Sequence, residues 1–377
     1  MASTTRRFDP QEALRPALRS IPEYAALEDL DAVARQYGVD PATVVKIDGN
    51  ENPYGPSPKA LEALRGDYQP HHYGDAGQRR LRAAISKYLD VPPETIVCGS
   101  GSDEIIDLLF QLFIGDGDRI VTASPTFGMY AFDAALHGGE VVDVPLLEGW
   151  AFDTEGLEAA ARESKAVFIP SPNNPTGNTL PVALVERLLG TGALVVLDEA
   201  YIEFSHTPSL ARRAVTEPGL VVLRTLSKWG GLAGLRFGYG VMHPQVADLL
   251  MRTKQPYNIN AAAEVAALAS FEDAAVLDAR AQTLVAERER VSVALAGLGW
   301  VHPYPSEAIF VLLRLGREGQ RIEGKAVRDG LRRRGIFPRF FDTPRLRDHI
   351  RISVGTPEQN DRVIAAFREI GEEQARG

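Results

Sequence analysis

The chain has 377 residues, of which 45% are hydrophobic and 24% are charged, as is ordinary for a globular protein. This length suggests roughly two domains and is enough to bury a large core around a cavity. The net charge of −9 disfavours nonspecific nucleic-acid binding, which requires clustered positive charge.

The cysteine, the histidines and the apolar runs bear on disulfides, metal sites and membrane spans. The single cysteine, Cys98, cannot form a disulfide within the chain, and its place at the end of a predicted strand favours a buried structural thiol. The seven histidines lack the spacing of a zinc site, so no metal is expected. No apolar run approaches the roughly 18 residues of a membrane span, and the first ten residues lack the apolar stretch of a secretory signal. We therefore expect a soluble, cytoplasmic protein.

Strands alternate with helices through the middle of the chain. Helical spacing of apolar residues predicts helices at 58–64, 103–113 and 128–136. Apolar runs bounded by turn residues predict strands at 95–98, 119–123, 140–144, 166–169, 193–197 and 220–224. Continuous apolar strands are typical of a parallel sheet buried on both faces, and the alternation predicts βαβ units in a doubly wound α/β sheet.

The pattern changes after about residue 260. A long helical stretch at 261–298 precedes strand-like segments at 308–315 and 349–354, which predicts a second, smaller α+β domain. The predicted segments are an N-terminal arm with part of the small domain, the large domain and the rest of the small domain, at 1–65, 66–265 and 266–377.

Polar residues follow several strands, at the edge where ligands of doubly wound sheets bind. In GSGSDE, after the first of these strands, Ser102 and Asp103 would offer free amides to a phosphate at a helix N-terminus, although a plain N-cap explains the motif equally well. Asn174 is held between prolines. Asp198 ends a buried strand, where a carboxylate is costly unless it meets a cation or a donor.

Lys228 lies at another strand end, in the glycine-rich segment RTLSKWGGLAGLRFGYG. The set at these strand ends thus combines a phosphate site with Asn174, Asp198, Tyr201, Lys228 and Arg236. Pyridoxal phosphate needs a lysine for its Schiff base, an acid at its pyridine nitrogen, donors for its phenolate oxygen and an anion site for its phosphate. The set predicts a site for this cofactor.

The same motifs resemble those of the fold-type I (class I/II) pyridoxal-phosphate-dependent aminotransferases, and among these the histidinol-phosphate aminotransferases. The resemblance runs from about Asp48 onward through NENPYG, HHYGDAGQRRLRAAI, GSGSDE, SPTFGMY, SPNNPTG, LDEAYIEF, TLSKWGGLAGLRFGYG and RISVGT. It implies a large domain whose mostly parallel seven-stranded sheet is sandwiched by helices, and a smaller α+β domain.

The resemblance also implies a role for each matching residue. Lys228 would be the catalytic Schiff-base lysine, and Asp198 would keep the pyridine nitrogen protonated. The other implied cofactor contacts are Ser102, Asp103, Phe127, Asn174, Tyr201, Thr225, Ser227, Arg236 and, across a homodimer interface, Tyr73. The implied substrate contacts are Tyr54, Arg339 and Arg351.

The implied reaction is a ping-pong transamination between histidinol phosphate and 2-oxoglutarate, giving imidazole-acetol phosphate and glutamate in histidine biosynthesis. An aromatic amino acid aminotransferase is the nearest alternative, followed by a phosphothreonine-type decarboxylase and a non-enzymatic regulator that binds pyridoxal phosphate. Two departures from the family pattern bear on the substrate. Trp229 adds bulk beside the lysine, and Phe340 and Phe341 follow Arg339, where they would favour an aromatic substrate or pack between domains.

Overall fold

The computed structural model describes residues 8–15, 18–19, 28–66, 68–317 and 319–376. The strands among them are β1 Val45–Ile47, β2 Ile96–Ser100, β3 Arg119–Thr122, β4 Glu140–Asp143, β5 Ala166–Pro170, β6 Leu194–Asp198, β7 Leu220–Thr225, β8 Phe237–Met242, β9 Val301–Pro303, β10 Phe310–Arg317, β11 Gln320–Arg321, β12 Ile336–Pro338 and β13 His349–Ser353. The helices are α1 Pro10–Ala13, α2 Leu30–Gln36, α3 Pro58–Arg65, α4 Arg79–Leu89, α5 Ser102–Phe113, α6 Met129–His137, α7 Thr154–Ala161, α8 Val182–Leu189, α9 Ala211–Ala214, α10 Pro244–Thr253, α11 Ala261–Glu272, α12 Ala274–Ala296, α13 Gly324–Arg333 and α14 Pro357–Arg376.

The large sheet has seven strands in the order β2-β8-β7-β6-β5-β3-β4. All neighbours are parallel except β8, which runs antiparallel to β2 and β7. Alternate residues of each central strand belong to the hydrophobic cores on opposite faces of the sheet. In β6, Val195 and Leu197 pack on one face, and Val196 packs on the other face against α5, α6 and α10. The predicted mostly parallel sheet with helices on both faces is confirmed.

A smaller antiparallel sheet has the order β11-β10-β13, with β9 also paired to β10. Its core contains residues of α12, α13 and α14. Strand β1 pairs in parallel with β12, so the segment around Val45 lies beside Ile336 despite their distance in sequence. The domain boundaries at 65 and 265 stay predictions.

The structure differs from the sequence expectation in several strands, namely β1, β8, β9, β11 and β12, and in one long helix. Strand β8 was not predicted, because its sequence FGYGVM carries two glycines, which are depleted in strands. The long helical stretch at 261–298 is two helices, α11 and α12, separated at Asp273. The Asp273 carboxylate accepts a hydrogen bond from the Lys59 backbone N–H at 2.9 Å, which ties this break to the start of α3.

Other sequence predictions can be compared with the described residues. Cys98 is buried, as predicted for a structural thiol. Among these residues no helix is long and apolar enough to cross a membrane, and no group of three or more His, Cys, Asp or Glu side chains could hold a metal ion. The expected lack of a secretory signal concerns the first ten residues, of which 1–7 lie outside the described part of the chain.

A buried ion cluster joins the ends of β6 and β7. Arg224 of β7 donates to Glu203 at 2.6 Å and to Glu199 at 3.4 Å, and all three side chains are buried. Ser209 donates to Glu199 and accepts from Arg224 at 3.1 Å. Burial raises the pKa of Glu199, and the charge of Arg224 opposes that rise.

Replacing Gly238 tests the packing of α5 on β8. In Gly238→Ala a Cβ would meet the backbone of Ser102 and lie 2.6 Å from the carbonyl carbon of Gly101, so α5 must shift. We expect a loss of roughly 1–3 kcal/mol in the free energy of unfolding, measured in urea. Gly234→Ala is the control, because its Cβ would enter open space. Equal stability of the two variants would contradict this packing.

Replacing Arg224 tests the ion cluster. Arg224→Met leaves Glu199 and Glu203 buried without their cation, which should cost roughly 3–5 kcal/mol of unfolding free energy at pH 7. The penalty should shrink as pH falls, because a buried carboxyl without its cation is destabilising only while it is ionised. The control Arg187→Met removes an ion pair with Glu155 and Glu158 on the surface, and should leave unfolding nearly unchanged. A pH-independent loss would argue against uncompensated carboxylates as the cause.

Candidate active site

A cavity of about 720 Å³ opens where β5, β6 and β7 end. The last residue of each of these strands, Pro170, Asp198 and Thr225, lines it, because parallel strands bring their carboxyl ends to one edge. The predicted site residues that line the cavity are Ser102, Asp103, Phe127, Asn174, Asp198, Tyr201, Thr225, Ser227, Lys228, Arg236, Arg339 and Arg351.

One end of the cavity holds hydrogen-bond donors. Helix α5 begins at Ser102 after Gly101, whose φ of +80° suits glycine, and no side chain caps the helix, so the plain N-cap alternative does not describe this motif. The carboxylate of Asp103 instead accepts from Arg236 at 2.6 Å. The hydroxyl of Thr225 donates to that of Ser227 at 2.9 Å. The free amides of α5, the two hydroxyls and the Arg236 guanidinium, which also pairs with Asp103, form a site suited to an anion.

Asp198 lies buried at the end of β6. Its Oδ2 accepts from the Tyr130 hydroxyl at 2.9 Å, and its Oδ1 accepts from the Ala200 N–H at 3.0 Å. Burial raises the pKa of Asp198 to about 6, and the two hydrogen bonds oppose that rise. A buried carboxylate at this position is suited to pair with a cationic group. Tyr130 was not singled out from the sequence, although it ends the quoted motif SPTFGMY.

Lys228 follows β7 and lines the cavity. Its Nζ donates to the carbonyl of Gly49 at 3.0 Å and lies 5.9 Å from the centre of the Tyr201 ring. Burial lowers the pKa of Lys228 to about 8, and the charges of Arg351 and Arg236 lower it further. An amine with this pKa is a usable base or nucleophile near neutral pH.

Arg351 of β13 brings the small sheet to the cavity. Its Nη1 donates to Asn174 at 2.5 Å, and its Nη2 donates to the carbonyl of Asp48. The Phe341 ring lies 5.7 Å from this guanidinium and 5.5 Å from that of Arg339, so it packs beside both cations. The far side of the cavity is thus cationic and partly aromatic.

Two predicted residues lie outside this lining. Tyr54 packs against the large core, with the Arg280 guanidinium 5.9 Å from its ring. Tyr73 is 83% exposed and stacks on Tyr257 with ring centres 4.5 Å apart. The described chain does not bring either side chain into the cavity, and their roles in substrate and cofactor binding stay predictions.

The departures from the family pattern occupy different environments. Trp229 is fully buried, stacks on Tyr88 and donates to Asp278 at 2.9 Å, so it belongs to the core rather than to the cavity lining. Phe340 lies 5.4 Å from the guanidinium of Arg328. Of the two phenylalanines only Phe341 lines the cavity.

Sequence reasoning also missed Asn50, which lines the cavity and donates to the hydroxyl of Tyr201 at 3.0 Å. The motif NENPYG, quoted as a whole, contains this residue at its first position. No local pattern distinguishes it from Asn52, which instead donates to the carbonyls of Lys228 and Trp229.

Comparison with known proteins identifies the family. The family model Aminotransferase class I and II matches residues 42–367. The chain is 48% identical to the histidinol-phosphate aminotransferase of Roseiflexus castenholzii, over 95% of this chain and 98% of that protein. It is 38% identical to the histidinol-phosphate aminotransferase of Dehalococcoides mccartyi, over 97% and 99% of the two chains.

A solved structure is similar over nearly the whole fold. The crystal structure of histidinol-phosphate aminotransferase from Sinorhizobium meliloti, in complex with pyridoxal-5'-phosphate, matches with a TM-score of 0.86 and 29% identity, covering 96% of this chain and 98% of that one. Together with the family model and the curated relatives, this similarity confirms the resemblance carried by the motifs. The chain belongs to the class I and II aminotransferases.

Proposed function

We propose that this chain is a pyridoxal-5'-phosphate-dependent aminotransferase that converts histidinol phosphate and 2-oxoglutarate to imidazole-acetol phosphate and glutamate, in histidine biosynthesis. Two curated relatives matched over nearly their whole length are histidinol-phosphate aminotransferases. The structural observation that carries the proposal is one cavity that holds the amine of Lys228, buried Asp198 and the uncapped start of α5.

The cavity residues fit pyridoxal phosphate. The first amides of α5, with Thr225, Ser227 and Arg236, would hold its phosphate, because they concentrate donors and positive potential at one end. Asp198 would accept from the protonated pyridine nitrogen. When bound, the cofactor withdraws electrons from the substrate's α-carbon and makes the proton there acidic.

Lys228 would link covalently to the cofactor and, once released by the amino substrate, carry the α-proton between substrate and cofactor. With its pKa lowered to about 8, a larger share of this amine is neutral at pH 7 than for an ordinary lysine. One site and one base then serve both half-reactions, as a ping-pong cycle requires.

Both proposed substrates carry an anionic group, and Arg351 and Arg339 would bind it. A guanidinium offers a planar pair of donors that fits either a phosphate or a carboxylate. Arg351 already donates to the side-chain amide oxygen of Asn174 and to the backbone carbonyl of Asp48. These two hydrogen bonds hold its guanidinium in the cavity.

An aromatic amino acid aminotransferase is the second candidate, because an aromatic side chain lines the cavity. Phe341 lines the cavity beside Arg339 and Arg351, where it would contact the side chain of a bound substrate. An imidazole ring and a phenyl ring can both pack on this surface, so the anion at the end of the substrate would decide between them.

A homodimer with shared active sites is part of the proposal. Tyr73 and Tyr257 form an exposed, stacked aromatic pair, and exposed aromatic surface is typical of protein interfaces. Such an interface would bury Tyr73 and let it reach the cofactor phosphate of a second subunit. The cytoplasmic location stays a prediction.

The substrate panel is the direct test. We expect protein purified with pyridoxal phosphate to show a kcat/KM for histidinol phosphate at least about tenfold above those for phenylalanine and tyrosine, with 2-oxoglutarate as acceptor, because only the first substrate offers a phosphate to the arginines. Lys228→Ala should lose both the visible cofactor absorbance and turnover. A preference for phenylalanine would instead support the aromatic alternative.

The lowered pKa of Lys228 predicts the pH dependence of cofactor attachment. Only the neutral amine reacts with the aldehyde, so the rate at which apoprotein gains visible absorbance should rise with pH and level off above a midpoint near 8. The control is the reaction of free Nα-acetyl-lysine with the same cofactor, so that the cofactor's own ionisations are common to both experiments. The rate of this control reaction should continue to rise toward about pH 10.4. Identical profiles would show that the fold does not lower this pKa.

A further inference from the structure

We infer that the side chains of Gln78, Asn258 and Glu104 position the start of α5 for the phosphate of the cofactor. This inference rests on the proposed function, in which the first amides of α5 hold that phosphate. It assigns a task to three residues outside the predicted site, of which only Glu104 belongs to α5. All three are positioning residues, because they would act on the cofactor through the backbone that leads into this helix.

Gln78 takes the place of a neighbouring strand at the edge of the large sheet. Strand β2 is the outermost strand on one side, so the outward N–H and C=O of its buried residue Cys98 face no further strand of the described chain. The Cys98 N–H donates to Gln78 Oε1 at 2.9 Å, and Gln78 Nε2 donates to the Cys98 carbonyl at 2.8 Å. Because a backbone N–H can only donate and a backbone carbonyl can only accept, these two bonds fix the orientation of the Gln78 amide.

The backbone of Gln78 suits this contact rather than the neighbouring helix. Gln78 directly precedes α4, yet its side chain does not cap that helix. It is 3% exposed and has a φ of +54°, a conformation that is uncommon for a residue with a Cβ. The fold therefore keeps an uncommon backbone conformation in which the amide reaches the edge of the sheet.

The second hydrogen of the Gln78 amide fixes Asn258 in turn. Gln78 Nε2 donates to Asn258 Oδ1 at 3.0 Å, so the amide nitrogen of Asn258 faces other partners. Asn258 Nδ2 donates to the Cys98 carbonyl at 3.0 Å and to Glu104 Oε2 at 2.9 Å. These two partners, a carbonyl and a carboxylate, are acceptors and require the same orientation of Asn258 independently of Gln78.

A buried lysine joins the two segments that supply these amides. Lys254 Nζ donates to the carbonyl of Ala76 at 3.0 Å and to that of Pro256 at 3.3 Å. Ala76 lies two positions before Gln78, and Pro256 lies two positions before Asn258. Because Lys254 is buried, its ammonium depends on these carbonyls in place of water, which keeps the two segments together.

Glu104 connects this arrangement to the turn before α5. Its Oε2 also accepts from the backbone N–H of Ser100 at 2.5 Å. Ser100 and Gly101 lead directly into α5, and Gly101 lies so close to Arg236 that a Cβ there would meet the guanidinium. The turn is therefore held by Glu104 and lies against a cation of the proposed phosphate site.

The benefit of such a network is that the helix amides point at the phosphate before it binds. Ordering them only on binding would cost free energy and weaken the complex. Loss of the network should therefore lower the affinity for pyridoxal phosphate, but not that for pyridoxal, which lacks the phosphate. A general loosening of the fold, or a change at Lys228 or Asp198, would instead lower both affinities alike.

The experiment measures the dissociation constants of pyridoxal phosphate and pyridoxal from the full-length protein, by visible absorbance. Gln78→Met keeps a similar length without the amide, and Glu104→Leu removes the carboxylate. We expect each variant to raise the constant for pyridoxal phosphate at least about fivefold and that for pyridoxal less than about twofold. Combined, the two changes should cost less affinity than the sum of their separate effects, because both interrupt one network.

Two further variants serve as controls. Glu104→Gln keeps a side-chain oxygen that can accept from the Ser100 N–H, so both constants should stay within about twofold of the wild type. A loss as large as that of Glu104→Leu would argue against the hydrogen bond as the cause. Gln111→Met removes an amide of the same helix that donates to Asp107 at 2.6 Å on the exposed surface, and it should change neither constant.

The outcomes distinguish this inference from the proposed function. Wild-type protein that gains no visible absorbance with pyridoxal phosphate would overturn both. If the wild type binds the cofactor, but Gln78→Met and Glu104→Leu leave its dissociation constant unchanged or raise that for pyridoxal by the same factor, the positioning role fails while the proposed function stands. Should one variant not fold, the other decides the question alone.

Discussion

The buried ion cluster around Arg224 is the interaction on which the geometry of the site depends most. Glu199 directly follows Asp198, and Arg224 lies four residues before Lys228, so one guanidinium joins the segments that carry the acid and the amine. Buried charges keep their places because each is costly without its partner. The cluster therefore fixes the relative positions of the two strand ends from inside the protein, without occupying the cavity.

The opposite side of the cavity is fixed by the segment after β1. Its carbonyls at Asp48 and Gly49 accept from Arg351 and Lys228, and its Asn50 bonds to Ser353 and Tyr201. Strand β1 pairs with β12, and the bridge between Arg339 and Arg351 next to β12 brings this segment beside β13 of the small sheet. Backbone and side-chain hydrogen bonds from this one segment thus connect residues of both sheets at the wall of the cavity.

Sequence reasoning succeeded where a local pattern had a structural consequence. Apolar runs predicted the parallel strands, and polar residues directly after them predicted the cavity edge. Strand β8 was not predicted, because the glycines in its sequence weaken the pattern typical of a strand. The sequence did not predict the contacts of Tyr130, Asn50 and Ser353. Their hydrogen-bond partners lie 68, 151 and 303 residues away, respectively, and no local spacing indicates a contact over such a distance. The positions of Tyr54 and Tyr73 outside the cavity lining likewise follow from tertiary packing.

The same burial acts on the two central ionisable groups in opposite directions. It raises the pKa of Asp198 and lowers that of Lys228, because a low-dielectric surrounding disfavours the carboxylate and the ammonium alike. Each group is therefore held at a free-energy cost that a ligand of matching chemistry would relieve. A cationic ring nitrogen at Asp198 and an aldehyde at Lys228 would do so together, and an anion at the start of α5 would fix the ligand's direction. Pyridoxal phosphate carries these three groups, and in the proposed function each would meet the part of the cavity that suits it.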